Sequence, residues 1–336
     1  MTNLKNLSVE ELQDFIKKLG YKEYRAEQIL NWIYVRGAED FDKMTNLSKK
    51  MQIELNKQFV LPTLPLVGKI ESNDGSIKYL WELHDGGRIE SVYIPEKSRK
   101  TVCISTQVGC GMGCSFCATG KLGLDRNLEE WEIIEQVLSV QKDIRKRITN
   151  VVLMGMGEPL ANTEKAIKAI YRMNELMQIG ARKITLSTAG IVPEIYKISR
   201  IPIQFRLAIS LNATTDELRS ELMPINKKYP INELLQAGSY YAKKKHIRVT
   251  LEYIIFKGLN DRKQDAIRLA NLSLKLPSKI NLIPYNPVDN LDYKRPEDKV
   301  VERFKSFLHP VAPAVTIRWS KGRRVGAACG QLRGEN

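Results

Sequence analysis

From residue 101 onward the chain alternates between short β-rich runs and amphipathic stretches, and this alternation restricts the fold more than any other feature. Candidate strands lie at 101–106, 150–154, 183–187, 205–211, 247–255, 280–284 and 314–319. Between them, 128–145, 162–179, 231–245, 261–273 and 297–308 read as helices. Strands that alternate with helices pair in parallel, because each crossover lays a helix against the sheet. About six or seven such strands suit an incomplete β/α barrel or an open doubly wound sheet. In a barrel, the side chains that do chemistry gather at the C-terminal ends of the strands.

Upstream, the pattern changes. Ser8 and Glu11 fit a capping box, and Leu12, Phe15, Ile16 and Leu19 recur on one helical face before Gly20. A second helix fits 24–36, with Ile29, Leu30, Ile33 and Tyr34 as its apolar stripe, and a third fits 48–59. Pro62 and Pro65 end this helical module. Ile77, Tyr79, Trp81 and Leu83 then alternate with more polar residues, as on a half-buried strand flanked by turn sequences at 72–75 and 85–87. A further strand at 88–94 stops at Pro95. Three units result: a helical accessory domain at 1–61, a β extension at 62–96 and a β/α core at 97–336.

A hydrophobic content of 43% allows a packed core. No apolar run approaches the ~20 residues that span a bilayer, and the opening MTNLKNLSVEELQDF lacks the basic-then-apolar order of a signal peptide. A cytoplasmic protein without a membrane partner is expected. Five cysteines, an odd number, argue against a secreted disulfide framework. The formal net charge is +15, and residues 1–100 hold only 16 of the 53 basic side chains and 15 of the 38 acidic ones. The basic excess therefore belongs to the β/α core, which favours a polyanionic partner such as nucleic acid. Basic runs at 142–147, 243–248 and 321–324 fit a phosphate-binding surface.

Three of the five cysteines fall in CGMGCSFC, as Cys110, Cys114 and Cys117. The C-x3-C-x2-C spacing follows the first core strand in a glycine-rich loop, where the backbone can curl until three thiolates converge. A structural zinc site closes with four ligands, and His84, His246 and His309 are remote in sequence. Three thiolates suit a four-iron cluster whose fourth iron stays open to a ligand, since such clusters otherwise take four cysteines. Further on, the Met154–Pro159 segment (MGMGEP) ends a strand, with glycines that bring backbone near a ligand and a carboxylate, Glu158, that can accept from an ammonium group.

The cysteine spacing, with Phe116 before the last thiol, resembles the radical S-adenosylmethionine signature. CISTQVGCGMGCSFCATG (103–120), MGMGEPLANTEKAIKAI (154–170), ITLSTAGIVP (184–193), ELMPINKKYPINELL (221–235), LEYIIFKGLND (251–261), NLIPYNP (281–287) and AACGQL (327–332) resemble the RlmN/Cfr family of radical S-adenosylmethionine RNA adenine methyltransferases. So do YRAEQILNWIY (24–34) and RIESVYIP (88–95), so the resemblance covers almost the whole chain in family order.

The resemblance implies a partial (β/α)6 barrel behind an RNA-docking helical domain. It implies a 4Fe-4S cluster on Cys110, Cys114 and Cys117, and two S-adenosylmethionine molecules per turnover. By family position, Gly157, Glu158, Ser187, Ser210, Leu211, Asn212 and Asn286 contact the cofactor. Cys103 and Cys329 occupy the two catalytic cysteine positions, and Glu90 the position of the base. The implied activity is methylation of C2 of an adenine in 23S rRNA, at the peptidyl transferase centre, and of the adenine 3′ of the anticodon in some tRNAs. The electron donor would be a flavodoxin or ferredoxin system, and the family suggests a monomer. C8 methylation of the same rRNA adenine, by the resistance branch, is the nearest alternative; Pro159 resembles the C2 branch. A non-catalytic RNA-binding protein with a structural metal is the alternative from another class. The sequence departs from the family at Arg323-Arg324-Val325-Gly326, where acidic residues are usual, and at Asn212, where histidine is usual.

Overall fold

The computed structural model describes every residue except 309–310, 313 and 335–336, so His309 lies outside the described residues. The N-terminal module contains α1 (Val9–Lys18), α2 (Tyr24–Tyr34) and α3 (Lys49–Gln58), tied at its ends by a short parallel pairing of β1 (Thr2–Asn3) with β2 (Phe59–Val60). Ser8 and Glu11 form the expected capping box at α1. Leu12, Ile16, Ile29, Ile33 and Leu55 bury the inner faces of the three helices.

The remainder is built on one ten-stranded sheet. Its antiparallel flank is β3 (Leu66–Glu71), β4 (Ile77–Glu82) and β5 (Arg88–Pro95). β5 pairs antiparallel with β6 (Lys100–Cys103), the first parallel strand of the core. A separate hairpin of β7 (Gln107–Cys110) and β8 (Gly123–Asn127) brackets the cysteine loop and the short helix α4 (Ala118–Lys121). From β6 the parallel order runs through β9 (Asn150–Leu153), β10 (Ile184–Thr188), β11 (Arg206–Ser210), β12 (Val249–Ile255), β13 (Ser278–Pro284) and β14 (Val315–Ile317). Their crossovers carry α5 (Glu130–Ile144), α6 (Thr163–Glu175), α7 (Val192–Arg200), α8 (Asp216–Leu222), α9 (Ile231–Lys245), α10 (Lys263–Ser273) and α11 (Asp298–Leu308). No hydrogen-bonded pairing joins β14 to β3 among the described residues, so the sheet is an open partial barrel. None of the described helices is long and apolar enough to cross a membrane.

Two sequence expectations need correction. Helices α7 and α8 were not foreseen; they span only nine and seven residues, too few to display helical periodicity clearly. And β4 is buried on both faces rather than one. Tyr79 and Trp81 pack toward α5, where Tyr79 Oη donates to Asp143 Oδ2 at 2.7 Å. On the opposite face Lys78 is buried against Glu90 at 2.9 Å, beneath the C-terminal segment.

Buried charges fasten the N-terminal module to the core. Lys5 Nζ donates to Glu135 Oε2 of α5 at 2.6 Å and to the Pro62 carbonyl at 2.7 Å. Arg172 of α6 donates to the Lys5 and Leu7 carbonyls and to Tyr34 Oη, and pairs with Glu130. Lys5 and Glu135 are each only 3% exposed. Removing one partner of such a pair strands a buried charge, at about 3–5 kcal/mol. Lys5→Met is expected to destabilise the protein by this amount in urea unfolding, and Lys5→Met with Glu135→Leu to recover most of it.

Candidate active site

The inner face of the barrel is read from its strand register. Cys103 pairs with Val152, Val152 with Thr185 and Thr185 with Arg206, giving one row across four strands. Ser187, Ala208, Thr250 and Lys279 form the next, and Ser210, Glu252, Asn281 and Thr316 the third. All but Ser187 and Ser210 line a lower cavity of about 520 Å³. An upper cavity of about 150 Å³ lies at the strand C-termini and is lined by all three clustered cysteines, Glu158, Ser187, Ser210 and Asn212. Met154, Glu252 and Cys329 line both cavities, so the two meet at Cys329.

The cysteine loop leaves the barrel on the β7–β8 hairpin. Cys110 ends β7 and Cys117 is the residue before α4. Gly109 must be glycine: it has φ +72°, and a Cβ there would lie 2.0 Å from the Gly123 carbonyl oxygen of the partner strand. Burial pushes the Cys110 thiol up to about 11 and raises those of Cys114 and Cys117. Thiols so buried become thiolates only beside a compensating positive charge, which a bound metal centre provides. Among the described residues no three His, Cys, Asp or Glu side chains form a group that could hold a single metal ion. The three thiols nevertheless line one cavity. Three clustered thiols suit a four-iron cluster that keeps one iron open, whereas a structural zinc site closes with four ligands. Phe116, Phe256, Tyr285 and Tyr293 pack as an aromatic group behind the loop.

The residues expected to contact the cofactor divide. Ser187 and Ser210 face the upper cavity. Glu158 lines it too, but its carboxylate already accepts from the backbone N–H groups of Leu160 at 2.9 Å and Ala189 at 2.6 Å. Its side chain thus joins two loops. The glycine before it serves packing as well: Gly157 has φ +99°, and a Cβ there would lie 2.6 Å from Gln107. Asn212 also lines the cavity, while its Oδ1 accepts from Ile254 N at 3.0 Å. Leu211 is fully buried in the hydrophobic core and lines neither cavity. Asn286 Nδ2 donates to the Cys329 carbonyl at 3.2 Å, and its buried Oδ1 has no partner, leaving an acceptor for a ligand.

Cys103 and Cys329 are brought to one cavity, and both thiols are free. Burial, and then the nearby Cys329, push the Cys103 thiol up to about 12. Glu90 is fully buried on β5; Lys78 pairs with its Oε1, and its Oε2 accepts from Arg333 N at 2.9 Å, so it lines neither cavity. The departure at 323–326 forms a short 3-10 turn, Arg323–Val325, between two left-handed glycines.

The sequence profile of the Ribosomal RNA large subunit methyltransferase N-terminal domain matches residues 2–61, and that of the Radical SAM superfamily matches residues 104–270. The chain is 45% identical to the dual-specificity RNA methyltransferase RlmN of Geobacter sulfurreducens, over 100% of this chain and 93% of the relative. It is 47% identical to a probable dual-specificity RNA methyltransferase RlmN of Thermotoga petrophila, covering 99% and 98%. This chain belongs to the RlmN family. A crystal structure of a radical SAM methyltransferase from Sphaerobacter thermophilus superposes over 100% of both chains with a TM-score of 0.95 at 41% identity. Streptococcus suis SuiB bound to S-adenosylmethionine shares the fold, with a TM-score of 0.51 at 13% identity, over 97% of this chain and 70% of that one.

As an RlmN-family enzyme the protein uses an iron–sulfur cluster with S-adenosylmethionine, and the upper cavity gathers the three thiols with Ser187 and Ser210 at the strand C-termini. Three residues of the site were not singled out in the sequence. Arg219 is fully buried and donates to the Leu211, Ala189 and Ser210 carbonyls and to Asn226 Oδ1, fixing the strand ends above the cavity. Glu252 and Arg318 face Cys103 and Cys329 from inside the barrel. Alternation along β12 and β14 was the available signal. Gly157→Ala is expected to raise the Kd for S-adenosylmethionine by about tenfold or more, because a strained left-handed residue costs about 1–3 kcal/mol. Calorimetry on the reconstituted enzyme would read this, with Gly180→Ala, where a Cβ meets open space, leaving Kd unchanged.

Proposed function

We propose that this RlmN-family enzyme methylates C2 of an adenine in 23S rRNA at the peptidyl transferase centre, and the adenine 3′ of the anticodon in some tRNAs. The observation that carries the reading is the meeting of Cys103 and Cys329 in one cavity that opens, at Cys329, onto the three-thiol loop. Adenine C2 is an amidine carbon without nucleophilic character, so it cannot take a sulfonium methyl directly. A thiolate can. Cys110, Cys114 and Cys117 would hold the 4Fe-4S cluster. Bound there with S-adenosylmethionine, the cluster supplies an oxidant able to take one hydrogen atom from a methyl group.

The remaining steps belong to the chain. Cys329 Sγ first displaces the methyl of one S-adenosylmethionine, forming its S–C bond as the sulfonium C–S bond breaks. After that methyl loses a hydrogen atom, its carbon bonds to C2 and joins protein to RNA. Glu90 takes the C2 proton; burial raises its carboxyl above the ordinary range, which strengthens it as a base. To reach the base, Glu90 exchanges its bond to Arg333 N for the substrate. Loss of that proton leaves one unpaired electron, which an external electron carrier takes up. Cys103 then attacks Cys329 Sγ; as the C–S bond breaks, its electron pair goes to the methylene carbon, which takes a proton and becomes the C2 methyl, and a Cys103–Cys329 disulfide is left for an external reductant. Residues 1–61 would dock RNA, and a flavodoxin or ferredoxin system would deliver electrons, in a cytoplasmic monomer.

Cys103→Ala is expected to accumulate a covalent RNA adduct that survives denaturing electrophoresis, and Cys329→Ala to form none. Adducts in neither variant, with both folded and cluster-loaded, would remove these roles. The activity itself is read anaerobically: enzyme reconstituted with iron and sulfide, S-adenosylmethionine, reductant, and rRNA or tRNA in separate tubes, with digested nucleosides analysed by mass spectrometry. C2-methyladenosine is expected. C8-methyladenosine would place the chain in the resistance branch, and zinc without sulfide in the purified protein would support a non-catalytic RNA-binding protein.

A further inference from the structure

The lower cavity carries a charge pattern that the chemistry at Cys329 does not explain. Six cations line it (Arg99, Lys183, Arg206, Lys279, Arg318 and Lys321) against two carboxylates, Glu96 and Glu252. The carboxylates are spoken for: Glu96 pairs with Arg99, and Glu252 accepts from Asn281 at the level of Ser210. Lys183, Arg206 and Lys279 make no salt bridge or side-chain hydrogen bond among the described residues. They sit at or just before the starts of β10, β11 and β13, around the N-terminal mouth. Burial, and then the adjacent Arg206 charge, pull the Lys279 ammonium below its ordinary range. Like charges gathered without counter-ions are unfavourable until an anion joins them. This end of a β/α barrel ordinarily serves stability alone.

Access supports the same conclusion. Above Cys329 lie the cysteine loop and the small cofactor cavity. The lower cavity is the larger of these two that reach Cys329, and its volume of about 520 Å³ is ordinary for a ligand pocket (about 300–1,000 Å³). Resting on the RNA methyltransferase reading, we infer that the RNA strand enters by the N-terminal mouth of the barrel, with Lys183, Arg206 and Lys279 gripping the phosphates that flank the unstacked target nucleotide. The base passes inward along the row from Arg206 to Cys103, and the phosphates stay at the rim.

The test is salt dependence. Binding of the cluster-loaded protein to a fluorescein-labelled transcript of the target rRNA segment is followed by anisotropy at several salt concentrations. Each phosphate contact to a single strand contributes about 0.7 to the slope of log K against log salt. The triple variant Lys183→Ala/Arg206→Ala/Lys279→Ala is expected to lose about 2 from that slope and to bind about tenfold or more weakly. Its methylation at Cys329, which needs no RNA, persists by intact mass. Lys299→Ala/Arg303→Ala, on the exposed face of α11, keeps the wild-type slope. Should the triple variant not fold, Lys183→Ala at its exposed position carries the same test with a change of about 0.7. A wild-type slope in these mouth variants, with RNA binding intact, overturns the entry route alone. Salt-insensitive or absent RNA binding by the wild-type protein overturns the activity reading and the entry route with it.

Discussion

The whole site depends on how the C-terminal segment is tied down. Cys329 lies on no helix or strand, so nothing local fixes it. Its position comes from bonds to four other parts of the chain. Gly322 N donates to Asp74 Oδ2 in the β extension, and Arg333 N to Glu90. Ala118 N donates to the Gly330 carbonyl and Thr119 Oγ1 to that of Leu332, joining the segment to the cysteine loop. Asn286 and Gln331 fasten it to the end of β13 and the Pro287 carbonyl. Most of these contacts use backbone groups of the segment, so its side chains can vary while its path is kept. The substitution of arginines for acidic residues at 323–324 falls in a turn between anchors and leaves them in place. The β extension is therefore part of the site: without Asp74 and Glu90 the segment would lose an anchor at each end.

The alternation of strands and helices was legible because each strand buries one face and each long helix shows two or more turns of apolar spacing. The three clustered thiols were legible because their loop is local in sequence. What sequence could not separate is a strand face that looks into a barrel from one that looks into water. Thr250, Glu252, Lys279 and Asn281 alternate with Leu251, Tyr253, Ile280 and Leu282, as they would on a solvent-facing sheet. Here the polar set lines the lower cavity. Glu158 and Asn212 show the converse. Both lie beside the upper cavity as expected, yet their side chains are spent on backbone amides, because loops folded that tightly leave N–H groups that need acceptors.

Burial also sets the state of the Cys103 thiol. A thiol raised to about 12 is ionised to only about 1 part in 10⁵ at pH 7, and the thiolate is the form that attacks. Arg318, which lines the same cavity, works against this and favours the charged form of Cys103.

A barrel lined largely with Thr, Asn, Lys, Arg and Glu gains little apolar burial from its interior, so most of the stability comes from the other face. There Ile184, Leu186, Leu207, Ile209, Leu251, Tyr253, Ile280 and Leu282 are each fully buried beneath the helices. Chemistry and stability are thus assigned to alternate residues of the same strands. A register slip of one residue would exchange the two sets, placing charges under the helices and leucines in the cavity. The polar interior is therefore itself a constraint on folding. The register that brings Cys103, Arg206 and Glu252 to one cavity is the same one that seals the core, and the open edge of the sheet does not loosen it.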